Sequence, residues 1–200
     1  MASPLLESFR LAGGTALSLQ KGHRLSEGID LFGDSPYGSI DFKAIDRFIE
    51  TSFPYHNHIS NLAPAMGKTY TIGTSKGNAV RLDIFYTDAF IKPPLIEDHI
   101  RMAVTEEIIA MKIEAVQYGG RKKDFWDLHE LLFQHDIRSM LALHKQRYPY
   151  THDKALILKN FTNFEVADGD FDPTCLRGKY WELIKADIAE VVKQYQNNLP

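Results

Sequence analysis

The sequence predicts an α+β fold: an α/β half running to about residue 92, followed by an α-helical half from residue 93 to the end. Short strand-like runs punctuated by glycine, proline and asparagine fill the first half. Helical periodicity replaces them beyond Pro93-Pro94. The composition is that of an ordinary globular chain, with 44% hydrophobic, 24% charged and 12% aromatic residues over 200 positions, which excludes disorder, collagen and coiled-coil fibres. A formal charge of -3 excludes a generic polybasic nucleic-acid coat and leaves any anion-binding patch to be found locally.

In order along the chain, Phe9 to Ala12 is a short apolar run stopped by Gly13-Gly14, after which Thr15 opens a helical stretch ending near Gly22. Ile29-Asp30-Leu31-Phe32 alternates around an acidic residue and precedes the turn Gly33-Asp34-Ser35-Pro36. Phe42, Ile45, Phe48 and Ile49 then give Ile40 to Ser52 helical spacing, making a second βα unit. The runs His56 to Leu62, Lys68 to Thr74 and Ala79 to Tyr86 are separated by the turn compositions Pro64-Ala65-Met66-Gly67 and Ser75-Lys76-Gly77-Asn78, and predict an antiparallel portion of the same sheet. Helices are expected over Thr105 to Tyr118, Lys122 to Gln134, Ile137 to Tyr148 and Thr151 to Phe161. After a loop at Asp168 to Pro173, a last helix is expected over Thr174 to Gln196, with Trp181, Ile184, Ile188, Val191 and Val192 inward.

The start of the chain carries neither a basic leader nor an apolar run of signal-peptide length. No stretch approaches the 18 or so consecutive apolar residues of a membrane span. One cysteine, Cys175, cannot form an internal disulfide and fits a reducing compartment. The expectation is a soluble cytoplasmic protein.

Two glycines between a strand and a helix let the backbone approach a ligand, and the first-turn N–H groups favour phosphate. On local grounds alone, Gly13-Gly14-Thr15 is better explained by plain turn chemistry. Asp30 and Asp83 each interrupt an apolar strand, and alternation places each carboxylate opposite its Ile and Leu neighbours. For either residue alone, a solvent-facing position on an antiparallel sheet explains the charge equally well, but if those strands are adjacent the two carboxylates converge, a donor set that suits Mg²⁺. Lys112 borders the apolar face of its helix and must either snorkel or meet an anion. In Arg121-Lys122-Lys123-Asp124-Phe125-Trp126-Asp127-Leu128, helix capping accounts for Asp124 better than for Asp127. His56 and His58 share a strand face, without a third metal ligand at a convincing spacing.

Taken together, Leu11-Ala12-Gly13-Gly14-Thr15-Ala16-Leu17, Gly22-His23-Arg24-Leu25-Ser26, Ile29-Asp30-Leu31-Phe32, Ile109-Ala110-Met111-Lys112-Ile113-Glu114-Ala115 and Arg121 to Leu128 resemble the AbiEii/AbiGii-type nucleotidyltransferase toxin family of bacteria over roughly residues 9 to 132. The resemblance implies a nucleotidyltransferase fold of the DNA polymerase β type. It also implies transfer of a nucleotide from a Mg²⁺- or Mn²⁺-bound nucleoside triphosphate to an acceptor such as tRNA, with a cognate antitoxin as partner. In that reading Gly13, Gly14 and Thr15 hold phosphate, Asp30 and Asp83 hold metal, and Lys112 meets the triphosphate. Asp127 matches the family's downstream aspartate, and Arg24, Ser26 and Arg121 line the nucleotide site. The family carries Asp-x-Asp at the metal strand, whereas this chain has Gly28-Ile29-Asp30. Glu27 would face the other side of a regular strand and Asp34 lies beyond it, so impaired catalysis is expected. A non-catalytic nucleotide- or RNA-binding module and a small-molecule nucleotidyltransferase are the alternatives.

Overall fold

Alternation sorts the first half of the chain into a sheet with one apolar and one charged face. The computed structural model describes residues 3–58 and 66–198. Ile59 to Leu62 of the expected third strand, Pro64 and Ala65 of the turn after it, and Met1 and Ala2 lie outside the described residues. The chain forms two compact units: one takes Glu27–Ala103 with the stretch up to Ala16, the other Leu17–Ser26 with the chain from Val104 onward.

In the first unit, β1 (Phe9–Ala12), β2 (Gly28–Gly33), β3 (Tyr55–Asn57), β4 (Gly67–Ser75), β5 (Asn78–Tyr86), β6 (Leu95–Glu97) and β7 (Ile100–Met102) form one mixed sheet among the described residues, in the order β3-β4-β5-β2-β1-β7-β6. The antiparallel β3-β4-β5 portion agrees with the expectation from sequence. The helix α2 (Phe42–Ser52) is started by Asp41, whose carboxylate accepts the Ala44 N–H at 2.9 Å. It packs on the apolar face, where its Asp46 takes hydrogen bonds from the Lys68 ammonium (2.6 Å) and the Tyr70 hydroxyl (2.8 Å) of β4. The alternate residues Ile29, Leu31, Leu82 and Ile84 of β2 and β5 line a cavity of about 780 Å³ there, together with Phe48 and Ile49 of α2. Asp30, Arg81 and Asp83 consequently share the opposite face.

Two expectations need correction. Strand structure does not end at Pro93-Pro94, because β6 and β7 form a hairpin beyond them and β7 pairs in parallel with β1. Their turn holds Asp98 and His99 at positive φ (47° and 62°). Neither residue is glycine, so the usual sequence mark of such a turn is absent. The last helix begins at Trp181 rather than Thr174. Cys175 forms an antiparallel bridge with Arg24, and the Leu25 N–H donates to the Thr174 carbonyl, and the Leu176 N–H to that of His23, both at 2.9 Å. This partner, distant in sequence, pulls 174–176 out of the helix that local periodicity favours.

The second unit is helical: α3 (Thr105–Gln117), α4 (Lys122–Leu131), α5 (Ile137–Arg147), α6 (Lys154–Asn160), the short α7 (Glu165–Asp168) and α8 (Trp181–Asn197). The turn between α3 and α4 is made by Gly119 and Gly120, at φ 109° and 46°. Phe125, Phe164 and Trp181 pack edge to face at 5.1 to 6.0 Å in its core; Trp181, Ile184, Ile188 and Val192 of α8 are buried as predicted, whereas Val191 is only half-buried.

One internal contact is pH-sensitive. His144 is buried, with Nδ1 at 2.8 Å from His152 Nδ1 and Nε2 at 2.7 Å from Glu114. Burial holds both imidazoles below the usual histidine range; Glu114 opposes the shift at His144, and the charge of His144 reinforces it at His152. A folded pKa below the unfolded value gives stability that is complete above the unfolded histidine pKa, near 6.5, and is lost as pH falls through the folded value. The unfolding free energy of the intact chain should therefore drop between pH 7.5 and pH 5, and His144→Gln should flatten that drop. A parallel loss in both proteins would exclude this pair as the cause.

Candidate active site

Position 28 decides the site in the first unit. Strands β2 and β5 run parallel in the register Gly28↔Arg81, Asp30↔Asp83, so these four residues form a patch two strands wide on one face of the sheet. The strand adjacency on which convergence of Asp30 and Asp83 depended is thus present. On the far side of β5, Thr69 of β4 stands opposite Asp83 and donates its hydroxyl to Oδ1 at 2.7 Å. Arg81 grips the same carboxylate twice, Nε to Oδ1 at 3.0 Å and Nη2 to Oδ2 at 2.7 Å.

The helix α1 (Gly13–Lys21) begins directly at the end of β1, with no intervening turn. Gly13 has φ +62°, and a Cβ built on it would collide with Asp30 Oδ2. The Asp30 carboxylate therefore stands against the first residue of α1, where the helix dipole favours negative charge. Thr15 donates its hydroxyl to the Gly28 carbonyl, tying the helix start to the strand that carries the patch. Gly13→Ala should cost about 1–2 kcal/mol from the left-handed backbone alone, and more from displacing Asp30. Gly22 has a similar φ of +59° with nothing within 4 Å of a new Cβ, so Gly22→Ala supplies the backbone cost by itself. Equal urea midpoints for the two variants would rule out the Asp30 contact.

The remaining expected site residues lie in the second unit, where Arg24, Lys112 and Asp127 are tied into one buried network, while Ser26 is half-buried and Arg121 lies at the surface. Asp127 of α4 is fully buried. Its Oδ1 meets His23 Nε2 at 2.8 Å and Arg24 Nε at 2.6 Å, while Oδ2 meets Arg24 Nη2 at 2.8 Å and the Lys112 ammonium at 2.7 Å. Lys112 of α3, only 6% exposed, also bonds Asp124 at 2.6 Å. Burial by itself would push the Asp127 pKa up, but the charge of Lys112 and the bonds from His23 and Arg24 hold it well below the usual carboxylate range. Burial likewise works to lower Lys112, and Asp127 and Asp124 reverse it, leaving the ammonium more firmly protonated than usual. Arg121 is exposed, its backbone N–H donates to Asp124 at 2.9 Å, and its side chain lies 3.5 Å from Asp170. Lys122 is buried against Asp172 at 2.9 Å. Carboxylates thus accompany at least two members of the basic triplet.

Three participants went unassigned in the sequence. Arg81 was detectable, since its spacing of two from Asp83 puts both on one strand face. His23 and Thr69 carried no local signal, because their partners lie 104 and 14 residues away.

A site of this kind raises the question of metal. Among the described residues no three His, Cys, Asp or Glu groups gather closely enough to hold a metal ion. Two carboxylates suffice for Mg²⁺ that arrives on a triphosphate, because Mg²⁺ takes one or two protein carboxylates and completes its shell with phosphate and water. The patch fits an ion that brings most of its own ligands with it.

The model of the family described as nucleotidyl transferase AbiEii toxin, Type IV toxin–antitoxin system, matches residues 1–194. The chain belongs to the AbiEii nucleotidyltransferase toxin family. An uncharacterised protein of Aquifex aeolicus is 29% identical over 97% of this chain and 91% of its own length. Two solved structures share the fold: a candidate nucleotidyltransferase from Helicobacter pylori (TM-score 0.60, 19% identity, 96% of this chain and 88% of that one) and MenT4, a nucleotidyltransferase toxin from Mycobacterium tuberculosis (TM-score 0.60, 12% identity, 96% and 76%). The α+β fold of this AbiEii member is that of the nucleotidyltransferases.

Proposed function

We propose that this AbiEii chain transfers a nucleotide from a nucleoside triphosphate to an acceptor such as tRNA, with transfer weakened by Gly28, and that a cognate antitoxin restrains it in the cytoplasm. The observation that supports this reading best is the in-register pairing of Asp30 and Asp83 beside the start of α1, in a chain whose family is that of nucleotidyltransferase toxins. Asp30 and Asp83 would hold the triphosphate's Mg²⁺ or Mn²⁺, which supplies charge neutralisation at the attacking and leaving oxygens. Gly13, Gly14 and Thr15 hold the α1 N-terminus close to that carboxylate pair and offer its amides to phosphate. Lys112 and Asp127 serve by fixing Arg24 and His23, since their own charges already satisfy one another. Arg24, Ser26 and Arg121 remain the proposed nucleotide contacts. Among the described residues no helix is long and apolar enough to cross a membrane.

A second reading, a nucleotide-binding protein without transfer activity, gains support from the pairing of Asp83 with Arg81. Calorimetry with the four nucleoside triphosphates in Mg²⁺ tests what the two readings share. At least one should bind, and Asp30→Asn should weaken it about 10- to 100-fold, as loss of metal support does. A folded protein that takes up none of them refutes both.

A further inference from the structure

We infer that Arg81 is a resident cation of the nucleotide site, standing between the Asp83 carboxylate and a phosphate of the ligand, so that the site holds a polyphosphate without metal. The inference rests on the nucleotide-binding reading above and adds to it the residue that offsets the loss at position 28.

The geometry carries it. Gly28 and Arg81 are direct partners across β2 and β5, so the corner of the patch that lacks a side chain lies beside the arginine. A Cβ at position 28 would find nothing within 4 Å except the Arg81 carbonyl at 3.9 Å, leaving room on that face of the sheet. The guanidinium is bound to Asp83 through Nε and Nη2 and makes no other hydrogen bond or ion pair among the described residues. Its side chain is 64% exposed. Arginine has five N–H donors in a planar fork, so after two bonds to Asp83 the Nη1 edge can still donate. A guanidinium fixed by a carboxylate is already oriented, and less rotamer entropy is lost when it binds phosphate bidentately. In charge the arrangement parallels a metal bridge: carboxylate, cation, phosphate. It also gives the arginine a second effect, because a carboxylate occupied by a guanidinium is a poorer metal ligand.

The two effects have opposite signs, which separates this role from a purely structural one. Inorganic tripolyphosphate is titrated calorimetrically into the full chain in EDTA, and Mn²⁺ is titrated separately without nucleotide. The unsubstituted protein should bind tripolyphosphate in EDTA. Arg81→Ala should weaken that binding about 10- to 100-fold, the worth of a hydrogen bond to a charged group, and Arg81→Lys should restore part of it. The same Arg81→Ala protein should bind Mn²⁺ more tightly than its parent. If tripolyphosphate binds Arg81→Ala as well as the parent, or binds the parent only with Mg²⁺ present, the inference fails while the proposed function stands. If neither tripolyphosphate nor any nucleoside triphosphate binds the folded parent with or without Mg²⁺, the proposed function fails too. Circular dichroism checks that each variant is folded, and Arg81→Gln replaces the alanine variant if that one is not.

Discussion

Gly28→Asp should raise Mg²⁺- or Mn²⁺-dependent nucleotidyl transfer at least about tenfold, the lower end of what is lost when even a supporting residue of a metal site is removed. The backbone permits it: Gly28 has no positive φ, and the new Cβ would meet nothing nearer than 3.9 Å. An aspartate there points to the same face as Asp30 and, through the register, lies beside Arg81 and next to the Asp30/Asp83 pair. The strand should tolerate it, since β-propensity differences span only about 1 kcal/mol and the adjacent guanidinium offsets the added negative charge. Labelled triphosphates, tRNA and Mg²⁺ or Mn²⁺ make the assay, with Gly28→Asp/Asp30→Ala as the control that should lose the gain. If the unsubstituted chain is already as active as Gly28→Asp, position 28 does not limit catalysis. A folded, inactive Gly28→Asp would favour the binding protein without transfer.

Asp127→Ala should be the most destabilising single change in the helical unit, costing about 3–5 kcal/mol because it strands buried charge. Arg24 loses both its bonds to the carboxylate, Lys112 keeps only Asp124, and His23 loses its Nε2 partner. Urea unfolding at pH 7 measures the loss, and a cost under about 1 kcal/mol would mean that water replaces the carboxylate. The pH dependence follows from the shifts. Asp127 titrates lower in the folded state than its ordinary value of 3.8, so its contribution is complete above that value and lost as pH falls through the folded pKa. Lys112 titrates higher than 10.5, so its contribution is complete below that value and lost as pH rises through the folded pKa. The gap between parent and Asp127→Ala should therefore be level from about pH 5 to pH 10 and narrow outside it.

Local periodicity in the sequence marked every helix but the short α7, and it placed Ile184, Ile188 and Val192 inward on α8, because 3.6-residue spacing depends only on near neighbours. Alternation likewise separated Asp30 and Asp83 from Ile29, Leu31, Leu82 and Ile84 before any pairing was known. The Gly13-Gly14-Thr15 block and the missing Asp at position 28 were plain in the chain itself. Strand register was not: a shift of one residue between β2 and β5 would separate Asp30 from Asp83 and Gly28 from Arg81, and register depends on pairing across more than 50 positions of sequence. The same limit hid the extended course of Thr174 to Leu176, which only the bridge to Arg24 enforces. It also hid the fate of Lys112. Helical spacing put its ammonium near an apolar face, but the Gly119-Gly120 turn had to bring α4 alongside α3 before Asp124 and Asp127 could meet it. Charge pairing at that range is a property of packed elements, so the tertiary structure alone decided that Lys112 is buried and ion-paired and that Arg81 lies beside the empty corner at Gly28.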